Sequence, residues 1–401
     1  MPVKRGILLF LRCRKIPNLA RRVSPLAFFI FFWLALPMTG VAAETEDPFG
    51  DISMDMDYSD VQNVIDQAFE YENKITFSDI VDKLTSGDTE GIGSFLLDYV
   101  KDQLFYEISM NRKVVLQIIG VAVIGAIFTN ISMTFAKNYV AETGFYFTYM
   151  ILFALLGAAY MATASIVTDV LHRLIQFMTA LVPTFSLAIA FVTGKATSLG
   201  YYQGMLLVIT FMDWFMSKVL IGLVNVYIVL SMINNLSKED YLSKSSELLE
   251  TVVAWSLRTV LAVTLGFNVI QGLLLPAIDS TKGKMLIKAS TMIPGIGNAL
   301  NSAAKVVVGA GILIKNAVGV AGLVVLLILC AAPLLKLVTI ALMYKVVEAV
   351  IQPVSDKRLV ECVHTAGNGI VFLMKILGTA LILFMLSLAI IMASSNMGLG
   401  G

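Results

Sequence analysis

Long apolar runs with few or no charges alternate with more polar segments from residue 114 to the end of the chain. A membrane-crossing helix needs about 20 consecutive apolar residues, and seven of the runs are long enough. They cover residues 114–135, 145–168, 174–193, 201–236, 251–275, 317–335 and 369–392. The pattern predicts an all-α, polytopic transmembrane domain over residues 114–401, with about seven transmembrane helices; counts from six to eight also fit.

The run at residues 201–236 is too long for one simple span and barely long enough for two. Short cytoplasmic loops are enriched in Lys and Arg. One crossing places the acidic residues 237–250 outside and the lysine-rich residues 276–316 inside, whereas two crossings reverse both. One long or kinked crossing is therefore favoured.

Residues 276–316 are long for a connection between spans. Within them, Pro294, Gly295 and Gly297 precede an apolar run at 306–314 that is too short to cross. This arrangement predicts a re-entrant hairpin, because broken backbone at membrane depth is tolerated only where protein or water surrounds it. Pro183 interrupts another apolar run, and paired broken helices of this kind occur in secondary transporters. Residues 337–351, which contain Lys345 and Glu348, predict an interfacial or re-entrant helix.

The first 43 residues have the organisation of an export signal. Seven basic residues and no acidic residue occupy the first 25 positions, and an apolar run follows at 26–36. Small residues end at Ala43, where a signal peptidase would cut. An uncleaved signal anchor is the alternative, and in both cases the next segment is exported.

Residues 44–113 contain 17 acidic residues and five basic ones. Apolar residues recur at helical spacing over 61–69 and 92–104, so we expect a small helical extracytoplasmic domain. The carboxylates at 51–60 lack the glycine and terminal glutamate of an EF-hand loop. A solvated acidic surface is therefore preferred to a calcium site.

Composition narrows the functional classes. Hydrophobic residues make up 58% of the chain and charged residues 14%, with a mean hydropathy of +0.83. Three Cys and two His are too few for a disulfide framework or a Cys/His metal cluster, and a net charge of +1 does not favour nucleic acid. No nucleophile, paired acids or phosphate loop is readable, so we expect no enzyme activity, catalytic residue, cofactor or metal.

Ionisable residues within spans are costly and usually face protein or water. Asp213, Lys218 and Arg258 are the main candidates, and we expect Asp213 to pair with Arg258 or Lys218 inside the bundle. Near the span ends, Lys336 and Lys375 are expected to reach the interface instead.

The two histidines are expected outside the spans. His172 is predicted to lie in a polar turn with Asp169 and Arg173, and His364 in a loop that follows Cys362. Neither has a second histidine or a candidate nucleophile nearby, so a solvated loop residue is preferred to a ligand or a base.

Four glycines are candidate close-packing positions between helices: Gly200, Gly204, Gly309 and Gly311. Glycine is also common in membrane helices for no specific reason. The sequence leaves both interpretations open.

The segment between the first two runs contains Ala141, Glu142, Thr143, Gly144 and Phe145. With the export signal, the acidic domain and the Pro183 and Pro294 segments, it resembles the stage III sporulation protein AE family of endospore-forming bacteria. The resemblance extends over essentially the whole chain in length and order of features.

This resemblance implies a multi-pass component of the secretion-like transenvelope channel complex that links mother cell and forespore and supports forespore development. The implied partners are the other stage III A-operon membrane and ring proteins, the associated ATPase and the forespore Q protein, besides membrane lipid. The implied location is the mother-cell membrane around the forespore. A secondary transporter of a small solute is the alternative.

Overall fold

The computed structural model describes residues 57–68, 76–86, 116–124, 127, 138–237, 239, 241–290 and 297–397. Every regular element in these ranges is helical, which confirms the all-α prediction. The helices are α1 (Ser59–Ala68), α2 (Phe77–Ser86), α3 (116–124), α4 (Asn138–Thr193), α5 (Lys195–Met212), α6 (Ile221–Leu236), α7 (Ser243–Ser290), α8 (Gly297–Ile351) and α9 (Lys357–Met397).

Helices α5 and α6 form one continuous rod, joined by a π-helical segment at Asp213–Leu220. Residues 201–236 therefore lie in one continuous helix, which agrees with the favoured single crossing; the crossing itself stays a prediction. A π segment widens the helix locally and shifts the side chains that follow it. Asp213 and Lys218, two of the predicted site residues, both lie in this segment.

Helix α9 lies at the centre of the bundle and packs against α4, α6, α7 and α8. Its inner face is apolar over long stretches, with Ile370, Leu377 and Leu388 fully buried. Helix α4 packs against α5, α8 and α9 on one side of the bundle. Burial of this apolar surface holds together helices that have few polar contacts in their central parts.

Five helices of the described chain are long and apolar enough to cross a membrane. They are Glu142–Thr193, Lys195–Leu236, Ser243–Leu275, Gly309–Ile351 and Lys357–Ser395. Their lengths of 33 to 52 residues correspond to about 50–78 Å at 1.5 Å per residue, whereas the hydrocarbon core is about 30 Å thick. Each helix is therefore longer than one crossing requires.

The helices alternate in direction between two ends of the bundle. At the upper end, defined by residues 237, 239, 241–242 and 352–356, the Asn235 amide donates to Thr365 Oγ1 over 3.1 Å. At the lower end, defined by Gly194 and residue 275, the Thr197 hydroxyl donates to the Leu275 carbonyl over 2.8 Å. Helices α4, α7 and α9 run from the upper to the lower end.

Two predicted breaks are replaced by continuous helix. The spans predicted at 145–168 and 174–193 are one helix, α4, so the polar turn expected around His172 is wrong. No glycine or proline lies in residues 168–176 to end the helix there, and the polar side chains are accommodated on its surface. The span at 317–335 and the helix at 337–351 are likewise continuous in α8, through Pro333. His364 lies within α9 and not in a loop.

The region predicted to form a re-entrant hairpin is largely helical on both sides of residues 291–296. Helix α7 continues to Ser290, and α8 begins at Gly297 and includes residues 306–314. Pro294 and Gly295 lie outside the described residues, so the hairpin stays a prediction. The count of seven spans is not confirmed, because the runs at 145–168 and 174–193 form one helix. Of the first predicted span, only residues 116–124 and 127 are described.

The predicted helix after residue 60 is confirmed as α1, whereas α2 was not predicted and the predicted helix at 92–104 lies outside the described residues. The Asp57 carboxylate accepts a hydrogen bond from the Ser59 N–H at 2.9 Å. Hydrogen bonds from the Ser59 hydroxyl and N–H lower the pKa of Asp57 and stabilise the start of α1. Helix α1 packs against α4, and α2 against α8.

Candidate functional site: a charged belt and a polar vestibule

The predicted site residue Asp213 lies beside His172, with 3.9 Å between Oδ1 and Nδ1. This contact joins the middle of α4 to the π segment, and both side chains are about half exposed. Within the described chain, Asp213 forms no ion pair with Lys218 or Arg258, which differs from the predicted pairing. Lys218 and Arg258 are not buried either, so the three residues lie on the outside of the bundle.

The helix registers bring further charges to the same level. Gly322 lies against Leu388, and Gly367 against Tyr344, and this antiparallel register places Lys336 opposite Lys375. Helices α5 and α7 meet at Thr197 and Leu275, which places Arg258 level with the π segment. We call this level the charged belt; it comprises Asp169, His172, Arg173, Asp213, Lys218, Arg258, Lys336 and Lys375.

Directly below the charged belt, each of the five long helices has a segment without charged residues or histidine. The charge-free segments are 174–193, 196–212, 259–275, 316–335 and 376–395. Each has between 17 and 20 residues, or about 26–30 Å of helix, which matches the hydrocarbon thickness. We call this part the lower half. Its exposed side chains include Leu187, Leu207 and Ile270, each more than half exposed.

Above the charged belt, in the upper half, two faces differ. The upper parts of α7, α8 and α9 carry ionisable residues, among them Glu250, Glu348 and Glu361. The upper parts of α4 and α6 carry no charged residue between residues 143 and 168 and between 221 and 236, and they expose Phe147 and Val229. The upper half therefore combines a polar face with an apolar one.

The polar face contains an open cavity of about 270 Å³ between α6, α7 and α9. We call it the polar vestibule. Each helix contributes four side chains, at the spacing that places residues on one helical face. They are Tyr227, Ser231, Asn234 and Asn235 of α6, Ser243, Ser246, Glu247 and Glu250 of α7, and Glu361, His364, Thr365 and Asn368 of α9.

His364 connects the vestibule to α8. Its Nδ1 lies 2.9 Å from Glu348 Oε1, and its Nε2 lies 2.9 Å from Asn368 Nδ2. Lys345 Nζ is 3.1 Å from Glu348 Oε2 and 3.3 Å from His364 Nδ1. These contacts fix the imidazole between two helices, so that one edge faces the vestibule and the other a carboxylate.

A second polar layer lies at the lower edge of the lower half. Lys315 is fully buried, and its ammonium donates to Ser395 Oγ at 2.8 Å and to the Met392 carbonyl at 3.2 Å. Lys315 belongs to residues 276–316, which were predicted as a connection between spans, but it lies within helix α8. The contact joins α8 to the end of α9, where a cation is favourable next to the last helical carbonyls. Nearby, the Asn268 amide donates to Ser387 Oγ at 2.6 Å.

Sequence reasoning missed the vestibule, although one signal was present. Glu361, His364, Thr365 and Asn368 form a polar stripe with i, i+3, i+4 and i+7 spacing on an otherwise apolar helix. Such a stripe predicts a face turned toward water or toward other polar groups. The histidine was instead assigned to a loop, and the glutamates of α7 were treated only as loop charge.

The geometry is that of an all-helical, multi-span membrane protein with a polar site at one end. A model of the stage III sporulation protein AE family matches residues 75–395, and the chain belongs to this family. Stage III sporulation protein AE of Bacillus subtilis (strain 168) is 22% identical over 295 residues, which cover 73% of this chain and 74% of the relative. No solved structure matches. The family resemblance noted in the sequence is thus confirmed, and with it a role in sporulation.

Proposed function

We propose that this protein is an integral component of the sporulation transenvelope channel or export complex that links mother cell and forespore and is required for forespore development. Family membership supports the sporulation role. The observation that carries the more specific proposal is a mismatch in length between the helices and the bilayer. The helices have 33 to 52 residues, whereas a helix of about 20 residues is enough to cross the hydrocarbon core.

The charge-free lower half is the part suited to the hydrocarbon. Its thickness fits the bilayer, and the charged belt then lies at the interface, where Lys and Arg are stable. The upper half projects beyond the bilayer, so the apolar face formed by α4 and α6 needs a protein cover. The other A-operon membrane and ring proteins are the proposed cover.

Loop charge supports an orientation for this arrangement. Residues 276–314 contain four Lys and one Asp and connect to the lower end, for which the positive-inside tendency favours the mother-cell cytoplasm. The associated ATPase would dock there. The upper half and residues 237–250 would face the intermembrane space, toward the ring proteins and the forespore Q protein. The exported residues 44–113 lie on this same side in the proposal, so the run at 114–135 would not cross the bilayer. Ala122 of that run lies at the upper end, where its carbonyl accepts a hydrogen bond from the Ser355 hydroxyl over 3.3 Å.

Cysteine labelling tests the orientation. In a variant without native cysteines, we expect Ser243→Cys to react with an impermeant maleimide from outside, and Lys284→Cys to react only after permeabilisation. The matched measurement is the ratio of labelling before and after permeabilisation in the same protoplasts. Labelling of Lys284→Cys from outside would overturn the orientation and the cytoplasmic docking face.

Purification from sporulating cells tests the proposed assembly and separates it from the alternative, a secondary transporter. We expect the tagged protein to copurify with the A-operon ring proteins, and Asp213→Asn with Arg258→Gln to reduce that yield, because both side chains lie on the outer surface. A transporter predicts the reverse: intact copurification with loss of solute movement in liposomes. Normal copurification of the double variant together with lost solute uptake would contradict the channel-component proposal.

A further inference from the structure

The polar vestibule has the composition of a binding site for a cation. All twelve of its lining residues are polar or ionisable, including the aromatic Tyr227, and Glu247, Glu250 and Glu361 supply three carboxylates. Lys244 lies 2.7 Å from Glu247 and balances that carboxylate. Within the described chain, neither Glu250 nor Glu361 has an ion-pair partner. Two negative charges from different helices therefore face one cavity.

An unused hydrogen-bonding group lies in the same wall. Ser246 is 9% exposed, and its hydroxyl has no hydrogen-bond partner in the described structure. A buried hydroxyl without a partner costs free energy. A ligand that donates a hydrogen bond would satisfy it, and this observation is independent of the carboxylates.

The cavity geometry selects the class of cation. Calcium and magnesium need several oxygen ligands converging at about 2.0–2.6 Å, and the described residues contain no group of three acidic, His or Cys side chains arranged to hold a metal. The volume of about 270 Å³ instead accommodates an ammonium group with several attached carbons. An ammonium group offers three donors to spaced oxygen acceptors.

We propose that the polar vestibule binds a primary ammonium group, with Glu250 and Glu361 pairing with its charge and Ser246 accepting one of its hydrogen bonds. The source is either a free polyamine or a lysine side chain of a partner protein. Both present the same chemistry to the vestibule. The site lies on the upper half, which the proposed orientation exposes to water, but ammonium binding does not depend on that orientation.

Titration calorimetry on the full-length protein in nanodiscs tests this proposal, with spermidine and an acetylated, amidated Gly-Lys-Gly peptide as probes. We expect binding of at least one probe and about tenfold weaker binding in E250Q/E361Q, since two exposed charge pairs are lost. Ser246→Ala should weaken binding by a smaller factor. Glu239→Gln, which removes an exposed carboxylate outside the vestibule, is the matched control and should bind as the wild type does.

The two probes distinguish the sources. Binding of spermidine alone assigns a free polyamine, binding of the peptide alone assigns a partner lysine, and binding of both supports recognition of the ammonium group itself. Absence of binding by the wild-type protein overturns the proposal. Equal affinity of E250Q/E361Q and Glu239→Gln, with melting temperatures like that of the wild type, also overturns it. Neither result affects the copurification test of the proposed function.

Discussion

Replacing Ile270 with arginine is expected to remove most of the protein from the membrane, whereas the same change at Leu248 is expected to have little effect. Both side chains are exposed on α7, by 57% and 63% respectively. Ile270 lies in the lower half and Leu248 in the upper half. An arginine near the centre of a membrane helix costs about 2.5–3.5 kcal/mol on insertion scales, whereas one in water has almost no cost.

The measurement is the amount of monodisperse, membrane-extracted protein carrying a fluorescent fusion, with each variant expressed from the same promoter. Because the two sites share a helix, an aliphatic residue type and a similar exposure, helix propensity and local packing are matched. Equal yields for Ile270→Arg and Leu248→Arg would contradict the assignment of the lower half to the bilayer. A loss confined to Leu248→Arg would place the bilayer around the upper half instead.

The helical architecture was largely predictable because it depends on local sequence. Apolar runs of sufficient length predict membrane helices, and helical spacing predicted α1 correctly. Loop charge favoured one long or kinked crossing over residues 201–236, and the structure has one continuous helix at Lys195–Leu236 even though Asp213 interrupts its apolarity. The charges of the loops were informative here because they indicate on which side of the membrane each loop lies, and this depends on the number of crossings.

The errors share one physical cause. A hydropathy minimum marks where a helix leaves an apolar environment, and it does not mark where the backbone stops being helical. Asp169, His172 and Arg173 lie on the surface of α4, and no proline or glycine accompanies them. Their polarity was therefore interpreted as a turn, although it forms part of the charged belt.

The vestibule and the buried lysine depend on contacts between distant parts of the chain. Asn235 and Thr365, which form a hydrogen bond, are 130 residues apart in the sequence, and Lys315 and Ser395 are 80 residues apart. One sequence cannot specify which polar stripes face each other, because several helix arrangements bury similar apolar area. The stripe on α9 was visible in the sequence, but its partners on α6 and α7 required the fold.

The glycine positions show the same limit. Gly200, Gly204 and Gly311 lie against Leu275, Gln271 and Val192, which confirms close packing there. Gly309 has open space around it, so its presence has no packing explanation. Sequence identifies glycine as a candidate contact position, but only the neighbouring helix decides whether the missing side chain matters.

Gly369 provides the second prediction with a large effect. A Cβ atom at this position would overlap Ile228 Cδ1 and lie 3.0 Å from Tyr160 Cε2. Tyr160 is buried, and its hydroxyl donates to Asn225 Oδ1 at 2.8 Å, so its ring has little freedom to move. We expect Gly369→Ala to destabilise the bundle by about 1–3 kcal/mol, the usual cost of overpacking.

Gly378, on the same helix, is the matched control because nothing lies within 4 Å of the point that a Cβ atom would occupy. Gly378→Ala is expected to raise the melting midpoint in detergent slightly, since alanine is favoured over glycine in a helix by about 1 kcal/mol. The two substitutions are chemically identical. If one lowers the melting midpoint and the other raises it, the difference is due to packing and not to helix propensity. A higher midpoint for both variants would show that the contact around Gly369 is not tight.

The closest atom to that missing side chain also provides a rescue. Ile228→Val removes Cδ1, the atom that an added Cβ would overlap, and alone should cost about 0.5–1.5 kcal/mol. Combined with Gly369→Ala, it is expected to recover part of the lost stability, because neighbouring substitutions are not additive when one relieves the other. If the two stability changes are strictly additive in the double variant, the overlap with Ile228 is not the cause of the destabilisation. The critical contact would then be the one between Gly369 and Tyr160, at the α4–α9 interface.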